Sequence, residues 1–284
     1  MVNEIPSDFD YKIYSRLYRN GWENINDISK KRSINSYLKT GKPLNWPYRI
    51  DKCEVLVYCG AKTGSSTLRK SFREINHNTF HMHIDYLKDL FPIPKLISLK
   101  SKDNKLLIVS SYREPVSRHI SSYFHAEKLL TEDLDFLIKD FIDKITNNFV
   151  NQQKNRPYEA YHPHLENDRK NFDNINIFEK PFNRERGFQV YESDKVKIIM
   201  LRFDKINNWE EIIKENTKYK NFVLIPSNLT SEKKSYQLYQ KFCNEIVIPR
   251  DVLDIMYKFD QDNMNYFYTP QEQEQIKKRW YRNT

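Results

Sequence analysis

One segment constrains the fold of this chain more than any other: a short apolar run that continues into a loop of small residues. Residues 55–59 read Val-Leu-Val-Tyr-Cys, residues 60–67 read Gly-Ala-Lys-Thr-Gly-Ser-Ser-Thr, and an amphipathic pattern begins at Leu68. A β-strand that runs through such a loop into a helix gathers backbone N–H groups and hydroxyls at the positive end of the helix dipole. The segment therefore predicts a phosphate-type binding loop in an α/β domain, and we call residues 60–67 the anion loop.

The anion loop departs from the Walker A pattern of nucleoside triphosphatases, G-x-x-x-x-G-K-[ST], in which the lysine follows the second glycine. Here Lys62 precedes Gly64, and Ser65 occupies the position of the Walker lysine. The nearest candidate for a Walker B aspartate is Asp204, at the end of the apolar segment 196–204. We do not interpret this residue as a Walker B aspartate. The loop thus favours a phosphate-binding protein other than an ATPase.

A second motif follows the apolar segment 106–112, which predicts another buried strand. Residues 113–123 read Arg-Glu-Pro-Val-Ser-Arg-His-Ile-Ser-Ser-Tyr, and we call them the Arg-Glu-Pro motif. If a helix begins at the proline, Arg113 lies at the strand end, while Arg118 and Ser121 share a helix face. Guanidinium groups and hydroxyls match phosphate oxygens, and open α/β sheets bind ligands at the carboxyl ends of their strands. The sequence therefore predicts two anion sites at one edge of a sheet.

These two motifs resemble those of the sulfotransferases that use 3′-phosphoadenosine 5′-phosphosulfate (PAPS). In that family a K-x-G-[ST]-[ST] loop holds the 5′-phosphosulfate, and an R-[DE]-P-x-x-R-x-x-S-x-[YF] segment holds the 3′-phosphate. The resemblance implies a central parallel sheet flanked by helices, in the P-loop NTPase-like sulfotransferase fold, with PAPS as the donor. It assigns the 5′ group to six residues of the anion loop and the 3′-phosphate to two residues of the Arg-Glu-Pro motif: Lys62, Thr63, Gly64, Ser65, Ser66 and Thr67, and Arg113 and Ser121, respectively.

Two histidines, His81 and His83, lie between these motifs. In an extended segment both would lie on one face, and histidine is suited to general base catalysis near neutral pH. The spacing is similar to the H-x-H pair of heparan sulfate 2-O-sulfotransferases. This resemblance implies His83 as the base with His81 beside it, and Lys62 as the group that stabilises the leaving oxygen. Metal ligation by the pair, an ordinary surface role and a base from later in the chain stay open as alternatives.

A transferring sulfuryl group carries less negative charge than a terminal phosphoryl group, so the resemblance implies no required metal. The order of the motifs along residues 53–284 also resembles a bacterial group of proteins assigned to capsular polysaccharide synthesis, which implies a surface glycan as the acceptor. Two other interpretations stay open. One is a transferase or kinase that uses another nucleotide-activated group on the same scaffold, and the other is a non-catalytic protein that binds glycans or nucleic acid.

The chain length is that of one α/β domain with insertions, and we expect residues 1–284 to form a single domain. Residues 1–50 are predicted to be an N-terminal helical extension, and Phe222 to Ile225 a further short strand. Residues 151–187 show little periodicity and are too long for an ordinary connection, which predicts an acceptor-binding insert or lid, with a disordered surface loop as the alternative. The candidates there for contact with an acidic sugar are basic: Arg156, His162, His164, Arg169, Arg184 and Arg186.

The formal net charge of +9 favours anionic ligands such as the donor and an acidic glycan. Nucleic acid is a weak alternative, because the lysines are scattered and no helix-turn-helix, zinc-finger or RNP signature is present. No apolar stretch approaches the roughly twenty residues of a membrane span, and the first residues lack a signal-peptide pattern. The three cysteines show no metal-ligand spacing, so we expect a reducing, cytoplasmic setting.

Overall fold

The computed structural model describes residues 53–76, 78–83, 93–126, 133–147, 149, 172–227 and 235–281. Within these ranges the chain is an α/β protein with a five-stranded, mostly parallel sheet flanked by helices. The predicted helical extension at 1–50 lies outside the described residues, as does most of the predicted insert, residues 151–171.

The sheet has the strand order β2-β1-β3-β5-β4. Its strands are β1 (Val55–Cys59), β2 (Thr79–His83), β3 (Leu106–Tyr112), β4 (Phe188–Glu192) and β5 (Val196–Arg202). All neighbouring pairs are parallel except β4 with β5, which is antiparallel. The predicted central parallel sheet is therefore confirmed, and an antiparallel edge strand is added to it.

The helices are α1 (Ser65–Ile75), α2 (Ile93–Ser98), α3 (Pro115–Ala126), α4 (Leu134–Thr146), α5 (Trp209–Asn216), α6 (Tyr236–Glu245), α7 (Arg250–Phe259), α8 (Gln261–Phe267) and α9 (Pro270–Trp280). A 3-10 helix over Phe203–Asn208 joins β5 to α5. The predicted helix start at the proline of the Arg-Glu-Pro motif is confirmed. Proline is well suited to that first position, because its missing N–H has no intrahelical acceptor there.

Two apolar layers enclose the sheet. Every residue of β1 and β3 is buried, which explains why these strands read as continuous apolar runs rather than alternating ones. On one face, Val57 packs with Leu68 of α1 and Trp209 of α5. On the other face, Leu56 belongs to a larger cluster that includes Phe242 of α6 and residues of α3, α4 and α7 to α9.

The strand predicted at Phe222 to Ile225 is wrong, because this segment has no ladder partner and is not assigned as a strand. It runs instead along α1 and α5, and side chains of these two helices accept hydrogen bonds from its backbone amides. The Leu224 amide donates to Glu210 Oε2 at 2.9 Å and the Ile225 amide to Ser71 Oγ at 2.7 Å. A short apolar run predicts burial, but the acceptors for its amides come from residues distant in the sequence.

The order of the strands creates a switch point between β1 and β3. From β1 the chain crosses through α1 to β2 on one side, and β3 then lies on the other side of β1. The loops that follow β1 and β3 therefore leave the sheet next to each other, at the carboxyl edge where open α/β sheets bind ligands. The register pairs Val57 with Val109, which brings the ends of the two strands level.

Candidate anion-binding site

The amino end of α1 is open in the described part of the chain. Its cap is Gly64, no side chain caps the helix, and its first turn contains no acidic residue. The first amides of an α-helix have no intrahelical acceptor, and they carry about half a positive charge. The amino end of α1 therefore offers amide donors and a partial positive charge at the loop, and anion binding there stays a prediction.

Gly64 is required both by its backbone and by its neighbours. Its φ of 91° lies in the left-handed region, which favours glycine. A Cβ atom there would lie 2.8 Å from Cη2 of Trp209 and 3.3 Å from Cδ2 of Phe203. Trp209 is itself fixed, because its indole N–H donates to the Arg202 carbonyl at 3.0 Å. The loop thus rests against the aromatic start of α5.

The loop hydroxyls divide into two groups. Thr63 Oγ1 donates to the Gly60 carbonyl at 2.9 Å, and Thr67 Oγ1 accepts from the Ser227 amide at 3.3 Å. Both hydroxyls therefore form hydrogen bonds within the protein. The side chain of Ser65 is buried and that of Ser66 half-buried, at the first turn of α1. Of the predicted loop ligands, the two threonines therefore support the loop through their side chains and offer a ligand chiefly their amides.

The Lys62 side chain is half-buried, and its backbone has a φ of 65°. Asp173 and Asn174 are the other non-glycine residues with positive φ in the described ranges. Aspartate and asparagine are common in the left-handed region, whereas lysine is not. The lysine of the loop is therefore held in an unfavourable conformation by its surroundings.

Arg113 joins the two motifs. Its Nη1 donates to the Lys62 carbonyl at 3.2 Å, and its Nε donates to Ser117 Oγ at 3.0 Å. The guanidinium carbon lies 4.4 Å from the centre of the Phe203 ring. The guanidinium also forms a hydrogen bond with the side chain of Tyr239. A guanidinium has five N–H donors, so these contacts among the described residues leave two for an anion.

Glu114 has a role that the sequence analysis missed: it caps α3. Its two carboxylate oxygens accept from the amides of Val116 and Ser117 at 2.8 and 2.7 Å, and Tyr257 donates its hydroxyl to Glu114 at 3.0 Å. Burial and the Glu114 charge raise the pKa of Tyr257 well above its usual value, which keeps this donor protonated. Since Glu114 occupies the first amides of α3, anion recognition by this motif depends on its side chains. An acidic residue just before a proline at the first helical position was the available signal.

The remaining residues of the Arg-Glu-Pro motif separate by exposure. Ser121 is half-buried and lies one turn beyond Ser117, on the side of α3 that begins at Arg113. Arg118 is only 7% exposed. It lies near Tyr112, whose pKa is raised by burial and by Asp260, with the Arg118 charge acting in the opposite direction. Ser121 thus lies one helical turn beyond the Ser117 hydroxyl that Arg113 contacts, and its contact with a ligand stays a prediction, whereas Arg118 belongs to the protein interior.

The two histidines lie in an extended segment, as the sequence analysis required for them to share a face, because residues 79–83 form β2. His83 is paired with Cys59, so its backbone lies at the carboxyl edge directly beside the start of the anion loop. His81 is paired with Val57, further from that edge, and is half-buried. The side chain of His83 lies outside what the structure describes, and the choice of base stays a prediction.

Of the predicted acceptor contacts, Arg156, His162, His164 and Arg169 lie outside the described residues. Arg184 donates to the carbonyls of Asn265 and Tyr266 at 2.5 and 3.3 Å, at the carboxyl end of α8. Arg186 pairs with Glu215 at 2.6 Å. The last part of the predicted insert returns to the carboxyl edge of the sheet, because Phe188 of β4 lies opposite Leu201 of β5.

Asp204, the nearest candidate for a Walker B residue, is held by an arginine. Both of its carboxylate oxygens accept from Arg202 at 2.8 Å, and Arg202 also contacts Glu272 at 2.9 Å and the Phe267 carbonyl at 3.1 Å. Within the described ranges no group of three or more histidine, cysteine or acidic side chains could hold a metal ion. Asp204 is therefore held by a local ion pair, and Arg202 ties the end of β5 to α8 and α9 through the Phe267 carbonyl and Glu272.

A separate groove of about 350 Å³ lies at the opposite, amino edge of the sheet. Two of its lysines contact acidic partners: Lys105 contacts Glu192 at 2.8 Å, and Lys218 contacts Glu54 at 3.1 Å. None of the predicted motif residues lines it. The candidate site formed where the two motifs meet is therefore distinct from this groove.

Comparisons of the chain with protein-family models, with curated proteins and with solved structures found no match. Among the described helices, none has the length and apolar character needed to cross a membrane.

Proposed function

We propose that this protein transfers a sulfuryl group from PAPS to a hydroxyl of a carbohydrate acceptor, on a P-loop-like sulfotransferase fold. The observation that carries the proposal is the contact of Arg113 Nη1 with the Lys62 carbonyl, at 3.2 Å across 51 residues of sequence. It joins the two motifs at the switch point between β1 and β3. A nucleotide phosphorylated at both the 5′ and 3′ positions requires two such neighbouring anion sites.

The charges of the site fit this donor. The open end of α1 offers amides to the 5′ group, and the two remaining donors of Arg113 with the Ser121 hydroxyl suit the 3′-phosphate. Glu114 does not compete with the ligand for Arg113, because its oxygens are bound to the amides of α3 and to Tyr257. The net charge of +9 adds long-range attraction for an anionic donor and an acidic glycan.

The donor supplies the sulfuryl group, and the chain supplies position and charge. Lys62 stabilises the negative charge that develops on the leaving oxygen, while loop amides and the hydroxyls of Ser65 and Ser66 hold the non-bridging oxygens. His83, or His81 beside it, accepts the proton of the acceptor hydroxyl. The acceptor is a surface or capsular glycan, met in part by residues of the segment 151–187.

Calorimetric binding of adenosine 3′,5′-bisphosphate, compared with AMP, ADP and ATP with and without Mg²⁺, tests the donor. Removing the 3′-phosphate should cost about ten- to a hundredfold in affinity, the scale of a charge-assisted hydrogen bond. Tight binding of the bisphosphate without Mg²⁺ supports the proposal. A preference for Mg-ATP would refute it in favour of a kinase.

Turnover is tested separately by following release of adenosine 3′,5′-bisphosphate from PAPS with a panel of neutral and acidic oligosaccharides. We expect stimulation by at least one acidic oligosaccharide and its loss in His83→Ala. Donor binding without turnover, unchanged in His83→Ala, would instead indicate a non-catalytic binding protein.

A further inference from the structure

Two consecutive carbonyls of the anion loop are held by residues from the end of β3. The Lys62 carbonyl accepts from Arg113 at 3.2 Å, and the Thr63 carbonyl accepts from Ser111 Oγ at 2.7 Å. The Ser111 side chain is buried, at 3% exposure, and also lies 3.1 Å from Thr63 Oγ1. The shape of the loop therefore depends on a strand that is distant in sequence.

These contacts determine where the loop amides point. In a trans peptide the C=O and the following N–H lie in one plane and point in opposite directions, and the described residues contain no cis peptide. Holding the Lys62 carbonyl therefore orients the Thr63 amide, and holding the Thr63 carbonyl orients the Gly64 amide. Both amides are directed away from β3, as donors for an anion.

The contact from Arg113 also bears on Lys62 itself. A lysine with a φ of 65° is in a sparsely populated conformation, which persists only where the surroundings enforce it. The guanidinium is in turn fixed by Ser117 and by the ring of Phe203. An anion bound by the remaining donors of Arg113 would hold the guanidinium, and with it the Lys62 peptide, in this arrangement.

We propose that Arg113 is a positioning residue for the anion loop as well as a ligand of the 3′-phosphate, and that Ser111 shares only the first role. Occupancy of the 3′-phosphate site then stabilises the loop conformation that binds the 5′ group. This inference rests on the proposed function for the identity of the ligand, but the coupling of β3 to the loop does not.

Three variants separate these roles, with ADP as a probe that lacks the 3′-phosphate and adenosine 3′,5′-bisphosphate as its counterpart. Arg113→Ala should lower the affinity for ADP by about three- to tenfold, the scale of one lost hydrogen bond, and the affinity for the bisphosphate by more. Ser111→Ala should weaken both ligands by the same factor. Ser121→Ala, the matched control on α3, should weaken only the bisphosphate. Unchanged ADP affinity in Arg113→Ala would overturn the proposal.

Hydrogen–deuterium exchange of residues 60–67 in the ligand-free protein gives a readout that does not depend on the donor. Exchange should be faster in Arg113→Ala and in Ser111→Ala, and unchanged in Ser121→Ala. Arg113→Lys keeps the positive charge but loses the planar guanidinium with its paired N–H donors. Residues 60–67 of this variant should exchange as fast as those of Arg113→Ala. If the wild type binds neither nucleotide, the proposed donor fails while these exchange rates still test the coupling. Equal exchange in all variants would refute it.

Discussion

Substitution of Gly64 by alanine tests the packing that shapes the anion loop. The new Cβ would lie 2.8 Å from Cη2 and 3.0 Å from Cζ3 of Trp209, which is fully buried and cannot move freely. Overpacking of this kind costs about 1–3 kcal/mol, and the left-handed φ of 91° adds about 1–2 kcal/mol for a residue with a Cβ. We expect Gly64→Ala to lower the free energy of unfolding by about 2–5 kcal/mol.

The assay is urea unfolding followed by tryptophan fluorescence, with Ser66→Ala as the control. Ser66 is half-buried in the first turn of the same helix, and its substitution should change stability by less than about 0.5 kcal/mol. Trp209→Phe removes the two ring atoms that clash, so Gly64→Ala should cost less in that background by about the packing part, roughly 1–3 kcal/mol. A cost below about 1 kcal/mol in the wild type, or strict additivity in the double variant, would refute the reasoning.

Three further predictions concern the same edge of the sheet. Lys62→Ala should lower kcat far more than it weakens nucleotide binding, measured by PAPS turnover and calorimetry; equal losses would contradict a leaving-group role. Arg202→Met should lower the free energy of unfolding by about 2–3 kcal/mol, because it removes the charge-assisted hydrogen bonds to Asp204 and Glu272. A change near zero in urea unfolding would show that these ion pairs contribute nothing to stability. Burial acts to raise the pKa of Glu272, but the hydrogen bonds with Arg202 and Thr269 prevail and hold this pKa below its usual value. The stabilisation from Glu272 is thus complete above the unfolded-state pKa and lost as the pH falls through the lower folded-state pKa. Glu272→Gln should flatten the fall in stability as the pH drops through this range, and an unchanged acid profile would argue against this linkage.

The parts of the fold that follow from local sequence were predicted well. The strands at 55–59 and 106–112 are apolar runs bounded by polar residues, and the helix at Pro115 has a start signal of its own. The antiparallel β4 also had a local signal that was missed. The turn 193–195 places Ser193 Oγ to accept from the amides of Lys195 and Val196 at 3.2 and 3.1 Å, as serine commonly does in turns.

Contacts between distant segments could not be predicted in the same way. Nothing in the residues around Ser111 indicates that its hydroxyl binds the Thr63 carbonyl, since that contact depends on β1 and β3 being neighbours in the sheet. The anion loop was predicted in part from Gly64 itself. The requirement for glycine at this position comes equally from the contact with Trp209, which lies far downstream in the sequence. The two motifs were therefore recognisable, whereas the residues that join them were not.

The left-handed Lys62 allows a last test, in which two variants lose the same side chain and differ only in the backbone. Alanine at a φ of 65° retains the left-handed cost of about 1–2 kcal/mol. Glycine avoids that cost but loses about 0.5–1 kcal/mol more entropy on folding. We therefore expect Lys62→Gly to be more stable than Lys62→Ala by about 0.5–1 kcal/mol in urea unfolding, with kcat in the PAPS assay lowered in both variants. Greater stability of the alanine variant would show that this backbone conformation is not enforced in solution, and would remove the reason for Arg113 to hold the Lys62 peptide.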